Sequence, residues 1–177
     1  TAKLFTETGF DTIASLFKYF ILVFTILILH AVITYLVLLK ALTGLNPLIF
    51  LKKMREVQIF GFSTASSNAT IPVTLNAVTK RLGVSKSVGS FTVPLGATIN
   101  MDGTAIMQGV ATVFIAQVFV VDLSLMDYLM VVVTATLASV GTAGVPGVGL
   151  IMLAMVLNQV GLPVEGIGMI LGVDRLL

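Results

Sequence analysis

The run Gly96-Ala97-Thr98-Ile99-Asn100-Met101-Asp102-Gly103-Thr104 decides how this chain is read. It sets one carboxylate and three other oxygen-bearing side chains in an apolar stretch, between Val88–Leu95 and the uncharged Ala105–Val121. The segment 88–121 is too long for one straight helix across a bilayer core of about 30 Å at roughly 1.5 Å per residue. A break around Thr98–Thr104 resolves the excess and frees backbone carbonyls for ligation. An ionisable residue at such depth is costly and by default marks an ion or substrate path. No Lys or Arg lies in the span to neutralise Asp102. A bound cation is the simplest partner expected for it.

Composition places the chain in a membrane. It is 57% hydrophobic and 10% charged, with a mean hydropathy of +1.10, against about 25% charged residues in soluble domains. The net charge of +2 gives no reason to expect nucleic acid, because the basic residues form two short clusters between apolar runs. The absence of Cys rules out disulfide and thiolate chemistry. His30 is the sole histidine, so no metal-ligand cluster is expected, and its ring is read as packed or hydrogen-bonded against a neighbouring helix. The chain opens at Thr1 without a signal peptide and closes in an apolar segment, which reads as an internal piece of a longer protein.

Outward from the central run, four further segments are expected. Residues 19–39 make one uncharged transmembrane helix of ordinary length. Residues 57–79 lie between two basic clusters, Lys52, Lys53 and Arg55 on one side and Lys80, Arg81 and Lys86 on the other, and the segment is read over 48–79. Basic residues favour the cytoplasmic side, so a single crossing would strand one cluster outside. The middle, Ser63-Thr64-Ala65-Ser66-Ser67-Asn68-Ala69-Thr70, is continuously small and polar, and Pro72 suits the first turn of a new helix. A re-entrant hairpin with its polar tip at depth satisfies all three observations, since non-helical backbone there needs protein or water around it. Residues 128–161 repeat the pattern from the opposite face, with arms of roughly 128–140 and 150–161 about the Gly-rich tip Gly141–Gly149. The flanking Asp122, Asp127 and Glu165 fit an outer side. Residues 167–177 begin a last helix containing Asp174 and Arg175. Ala69-Thr70-Ile71-Pro72 and Leu95-Gly96 echo Ala143-Gly144-Val145-Pro146 and Leu171-Gly172 at nearly equal offsets. The fold class is therefore an all-α polytopic membrane protein, an inverted-repeat transporter with two re-entrant helical hairpins and a broken helix at 88–121. In such folds the binding site lies where the repeats meet.

The tips carry usable chemistry. A helix N-terminus offers unpaired N–H groups and partial positive charge, so Ser66–Asn68 at the start of a returning arm can hold a carboxylate. Capping alone is the competing account, and three adjacent polar side chains exceed what a cap requires. Gly141, Gly144, Gly147 and Gly149 let backbone approach a ligand closely and serve a gate or tight helix packing equally well. Thr98, Asn100 and Asp102 supply the hydroxyl, amide and carboxylate oxygens that sodium prefers. Asn68-Ala69-Thr70 spells a glycosylation sequon that a buried tip would leave unreachable.

On these residues the chain resembles the dicarboxylate/amino acid:cation symporter family, the glutamate transporter family, over nearly its whole length. The resemblance is carried by Ser66-Ser67-Asn68-Ala69-Thr70-Ile71-Pro72, Pro94–Thr104, Gly141–Gly147 and Gly172-Val173-Asp174-Arg175-Leu176-Leu177. The family is itself among the examples behind the inverted-repeat rule. The resemblance implies that Ser66, Ser67 and Asn68 hold the substrate's α-carboxylate, with Ser67 closest, and that Met101 and Thr104 face the substrate. It implies sodium at Gly96, Asn100 and Asp102, and at Thr98 with Ser139, Val140 and Thr142. Ala143, Gly144, Val145 and Gly149 would close over the substrate as an outer gate. It further implies a homotrimer in the cell membrane, contacts with membrane lipid, no enzymatic activity, and no cofactor beyond sodium as coupling ion. Asn68 departs from the family's usual third Ser in the first tip. Further substrate and sodium ligands of the family fall beyond Leu177.

The expected function is secondary active symport of an acidic amino acid, glutamate or aspartate, or a dicarboxylate, by alternating access. Sodium and proton both suit Asp102. A neutral amino acid carrier is the alternative, although Thr104 favours acidic substrates. An ion channel would use similar re-entrant loops and carbonyl ligands. An intramembrane hydrolase would need a Ser nucleophile with a base, and His30 is the sole His and no Gly-x-Ser-x-Gly elbow exists.

Overall fold

Local sequence signals start and stop the helices. In the computed structural model, residues 2–174 are described, with side chains from Ala14 to Val173, and every regular element among them is helical. The first helix, α1 (Ala2–His30), runs through a π-helical stretch, Ala31–Val37, into α2 (Leu38–Thr43), which Gly44 ends in the left-handed region at φ 68°. This run extends beyond the expected 19–39 at both ends. Within it, Ala14–Thr43 is the one described helix long and apolar enough to cross a membrane. Asn46 caps α3 (Pro47–Thr64) by accepting from the Leu48 N–H at 2.9 Å, with Pro47 at the first helical position, where its missing donor costs nothing.

The polar run between the basic clusters becomes a two-residue tip. Ala65 takes the left-handed conformation (φ 47°) and Ser66 an extended one (φ −140°) before α4 (Ser67–Lys80) begins. Ser63, Thr64 and Thr70 each donate a hydroxyl to the carbonyl four residues earlier, which satisfies the polar side chains within the helices themselves. Pro72 lies beyond the first turn of α4 rather than in it. Its missing N–H leaves the Asn68 carbonyl without the usual i+4 donor just behind the tip. Gly61 packs on Thr70, and Arg81 reaches both Glu56 and the Lys53 carbonyl, so α3 and α4 run antiparallel.

The central helix breaks more sharply than its sequence suggests. Helix α5 (Lys86–Ile99) ends at Asn100 (φ −98°, ψ 68°), and α6 begins at Asp102, so only Asn100 and Met101 lie outside helix. Thr98 is helical, not part of the break. The remaining elements are α7 (Leu125–Val140), α8 (Val148–Gln159), a 3₁₀ turn at Val164–Gly166, and α9 (Ile167–Asp174). Ser124 and Asp127 cap α7 reciprocally, the Ser124 N–H and hydroxyl both donating to the Asp127 carboxylate. That acceptor role holds the Asp127 carboxyl below its ordinary value, the hydroxyl contributing more than the N–H. Arg175, Leu176 and Leu177 of the family-like C-terminal motif, and the Asp174 side chain, lie outside the described residues.

Two compact units divide the chain. The first joins the residues up to Ile28 with Asp102–Ser139 and the chain from Gly149 onward. Its core sets Tyr19 and Val23 of α1 with Met107, Ala111 and Ile115 of α6, Val131, Ala135 and Ala138 of α7, and Leu153, Val156 and Leu157 of α8. The buried positions of α6 recur at the helical spacing that makes one stripe. The second unit holds Leu29–Met101 with Val140–Val148, the tip between α7 and α8. In it α4 packs on α5, and Gly89 lets the two approach, an added Cβ there falling 3.4 Å from Val78. Large apolar side chains such as Phe17, Phe24, Leu48, Phe62 and Leu137 remain exposed, a surface suited to lipid or further protein.

Candidate functional site

In the second unit the two tips meet. Ser66 is the N-cap of α4: its Oγ accepts from the Ala69 N–H at 3.2 Å and donates to the Gly144 carbonyl at 2.7 Å. The Asn68 N–H donates to the same carbonyl at 3.1 Å. Two donors of the first helix start thus converge on one oxygen of the Gly-rich tip, 78 residues from Ser66 in sequence. Gly144 must be small for this. An added Cβ would lie 3.0 Å from both Asn68 Oδ1 and Ser67 Cβ, and 3.2 Å from Asn68 N. Gly147, at φ 84°, turns the chain back into α8 from a conformation that L side chains rarely adopt.

Donors assigned from sequence to a substrate carboxylate are therefore held by a backbone carbonyl. Ser67, the first residue of α4, is the exception: its hydroxyl points toward the Met101 sulfur at 3.9 Å. Ser67 and Met101, both assigned to the substrate, are brought together. A cavity of about 540 Å³ opens beside the first tip, lined among others by Gln58, Ser66, Ser67, Thr70, Thr92 and Gly96. It joins two substrate-assigned residues to one assigned to sodium.

The helix break gathers further oxygen ligands. The last carbonyls of α5 have no partner within that helix and carry its partial negative charge. Thr98 donates its hydroxyl to the Pro94 carbonyl at 3.0 Å, which leaves the lone pairs on Oγ1 available to a cation. Asn100 donates from Nδ2 to the Tyr35 hydroxyl at 3.4 Å. Val140 and Ala143 lie at the start and middle of the second tip, with Thr142 buried between them. Val145 N–H donates to the Ala143 carbonyl at 2.7 Å.

The first unit holds the other assigned residues. Asp102 opens α6, where the N–H groups and the positive end of the helix favour a carboxylate. A carboxylate here thus has electrostatic compensation from backbone as well as any from Lys or Arg. Thr104 and Met107 pack on Gly149, an added Cβ at 149 falling 3.2 Å from a methyl of each. Ser139 donates to the Thr136 carbonyl at 2.8 Å. A larger groove of about 840 Å³ on this unit, lined mainly by apolar residues of α1, α6 and α7, holds none of the assigned residues.

Sequence reasoning missed Gln108. It is fully buried in α6 and donates from Nε2 to the Gly149 carbonyl at 3.0 Å, while its Oε1 has no hydrogen-bond partner. The signal was present as an amide in an otherwise uncharged run, and it needed α8 alongside to acquire meaning.

The arrangement is two hydrogen-bonded tips beside a helix break rich in oxygen ligands, suited to holding an anionic ligand and a hard cation rather than to bond-breaking chemistry. Known proteins share this sequence pattern. The sequence profile described as the sodium:dicarboxylate symporter family matches residues 1–177. An excitatory amino acid transporter of Caenorhabditis elegans is 43% identical over 167 residues, which cover 94% of this chain and 33% of that protein. One of Onchocerca volvulus is 42% identical, covering 94% of this chain and 34% of the relative. Excitatory amino acid transporter 1 of Rattus norvegicus is 42% identical over 148 residues, 84% of this chain and 27% of the relative. The chain spans about a third of the length of these curated relatives.

Proposed function

The chain belongs to the sodium:dicarboxylate symporter family, and from that premise we propose that it forms part of the substrate- and ion-binding region of a secondary active symporter for an acidic amino acid. Members of a symporter family move solutes and are not enzymes. The relatives' names speak of excitatory amino acid transport, which favours an amino acid over a simple dicarboxylate. In this reading α3–α4 and α7–α8 are re-entrant hairpins that enter a multi-pass membrane fold from opposite faces as an inverted repeat. The whole protein is a homotrimer in the cell membrane. Sodium is the coupling ion.

The observation that carries the reading is the convergence of Ser66 Oγ and the Asn68 N–H on the Gly144 carbonyl. The same donors, with the Ser67 hydroxyl, suit the α-carboxylate of a substrate that enters when the tips part. Ala143, Gly144, Val145 and Gly149 then move as the gate, with Met101 and Thr104 on the substrate side. Gly96, Asn100 and Asp102 hold one sodium, and Thr98 with Ser139, Val140 and Thr142 another. The hydroxyls of Thr98 and Ser139 each donate to a carbonyl of their own helix, a use of the proton that is compatible with the oxygen serving as a cation ligand.

The test is uptake of labelled aspartate, glutamate, succinate and serine into proteoliposomes holding the full-length protein, with and without an inward sodium gradient, beside Asp102→Asn. Sodium-driven uptake of aspartate or glutamate that the variant loses is the expected result. Uptake driven only by a pH gradient moves Asp102 to proton coupling, and preference for serine transfers the assignment to a neutral amino acid carrier. Absence of substrate-dependent flux sinks the transporter reading.

A further inference from the structure

Six basic residues lie between positions 52 and 86 against a single acid, Glu56. Arg81 takes that acid, pairing with the Glu56 carboxylate and donating to the Lys53 carbonyl at 3.4 Å. The end of α4 is thereby held level with residues 53–56 of α3, inside the second unit. The Leu82 N–H then donates to the Ala77 carbonyl and the Val84 N–H to the Val78 carbonyl, and Gly89 packs on Val78 and Thr79. This tight return sets Lys86, the first residue of α5, beside the last turn of α4. Lys52, Lys53, Arg55, Lys80 and Lys86 are exposed and form no ion pair with any described residue. The patch thus carries uncompensated positive charge on all three helices.

Helix α3 sets two of these cations in apolar company. Lys52, Arg55, Ile59 and Phe62 recur at i, i+3, i+7 and i+10, which places them on one face. All four are exposed, Phe62 at 85%. That face lies away from the partly buried side of α3, where Gly61 packs on Thr70 of α4. From Lys52 to Phe62 the stripe runs about 15 Å at roughly 1.5 Å per residue, half of a hydrocarbon core of about 30 Å.

We propose that this face of α3 binds an anionic phospholipid, with the headgroup phosphate on Lys52 and Arg55 and an acyl chain along Ile59 and Phe62. Clustered Lys and Arg beside an apolar membrane segment attract anionic headgroups. Because Arg81 occupies Glu56, no carboxylate between positions 52 and 86 competes for the two cations. A soluble anion would satisfy the charges and leave the stripe bare, whereas a zwitterionic headgroup brings a positive charge of its own into the patch. The proposal rests on the chain lying in a membrane and not on the substrate or sodium residues, so it fails separately from the symporter reading.

The experiment titrates dioctanoyl phosphatidylglycerol into the full-length protein in neutral detergent and reads the apparent affinity from the rise in melting temperature. Dioctanoyl phosphatidylcholine and glycerophosphoglycerol, the same headgroup without chains, are titrated alongside. Phosphatidylglycerol should bind about tenfold more tightly than either. Lys52→Gln with Arg55→Gln should weaken its binding about 25-fold, about fivefold for each charge removed. Phe62→Ser should weaken it about tenfold through the lost apolar contact. Equal binding of phosphatidylcholine or of the chainless headgroup overturns the proposal, as does an unchanged affinity in the glutamine pair or in Phe62→Ser. No binding at all also overturns it and assigns the face to a further helix of the full-length protein. Should the glutamine pair fail to fold, the wild-type protein decides through salt. Raising choline chloride from about 0.1 M to about 1 M shortens the screening length from about 10 Å to about 3 Å. Binding should weaken more than about tenfold over that range, and insensitivity to salt overturns the headgroup contact.

Discussion

Replacing Gly144 by Ala tests the contact on which the functional reading depends. The added Cβ would lie 3.0 Å from Asn68 Oδ1 and Ser67 Cβ and 3.2 Å from Asn68 N, whereas carbon contacts settle at about 3.5–4.0 Å. Asn68 Oδ1 can swing aside, but Ser67 Cβ and the Asn68 backbone cannot, so the tips must separate by roughly 0.5 Å. The Asn68 N–H bond to the Gly144 carbonyl, now 3.1 Å, would pass beyond the usual limit of about 3.2 Å. The Ser66 hydroxyl bond, at 2.7 Å, would lengthen and survive. One net hydrogen bond is worth about 1 kcal/mol, and weakening of the second brings the total to about 1–2 kcal/mol. The ratio of separated to joined tips should therefore rise about 5- to 30-fold. This chain has no native cysteine, which permits a direct assay: a single cysteine at Ser67, labelled by a water-soluble thiol reagent in the full-length protein freed of other cysteines. Labelling should accelerate by that factor in the Gly144→Ala background without substrate. An unchanged rate would mean that the tips are not held by this contact, and the proposed gate would lose its structural basis.

Two other substitutions probe packing and charge. An added Cβ at the buried Gly166 would lie 2.6 Å from Cγ2 of the fully buried Ile115, so Gly166→Ala should destabilise by about 1–3 kcal/mol through overpacking. Ile115→Ala alone should cost about 2–5 kcal/mol, and the double variant clearly less than the two together. Strictly additive melting shifts across the four proteins would refute the contact. At the start of α7, Asp127 has its carboxyl lowered by the Ser124 hydroxyl and then the Ser124 N–H. Its ionised form therefore contributes stability that is complete above the ordinary value of 3.8 and is lost as pH falls through the lower folded value. The melting difference between wild type and Asp127→Asn should be constant near neutral pH and shrink only in strong acid, and a difference that peaks in acid would reverse the sign.

Residue by residue, the local features were the legible ones. The polar run around Ser66 is a capping signal whose partner lies within a few positions, so sequence alone marks a helix start there, whereas the caps at Asn46 and Ser124 emerge with the structure, which starts α7 at Leu125 rather than near 128. The break after α5 was legible because an unneutralised Asp102 and an overlong apolar run conflict with a single helix. Its extent was not. Thr98 can satisfy its hydroxyl on the Pro94 carbonyl and remain helical, a choice that polarity does not reveal. Pro72 misled in a similar way, since the helix starts early enough, at Ser67, to carry it in its interior.

By itself, the sequence determined a membrane-compatible helical chain with polar tips, a Gly-rich tip, a break around Thr98–Thr104 and membership of a symporter family. These follow from composition, capping chemistry and the cost of polar groups in apolar surroundings, all of them local or additive along the chain. Only the tertiary structure decided that the Gly144 carbonyl is the acceptor for Ser66 and Asn68, that Gln108 ties α6 to Gly149, and that Tyr35 reaches Asn100. Each of these pairs is distant in sequence and joined by packing. Periodicity cannot encode them, because the choice of hydrogen-bond partner depends on which surfaces the folded chain has already brought within 3 or 4 Å.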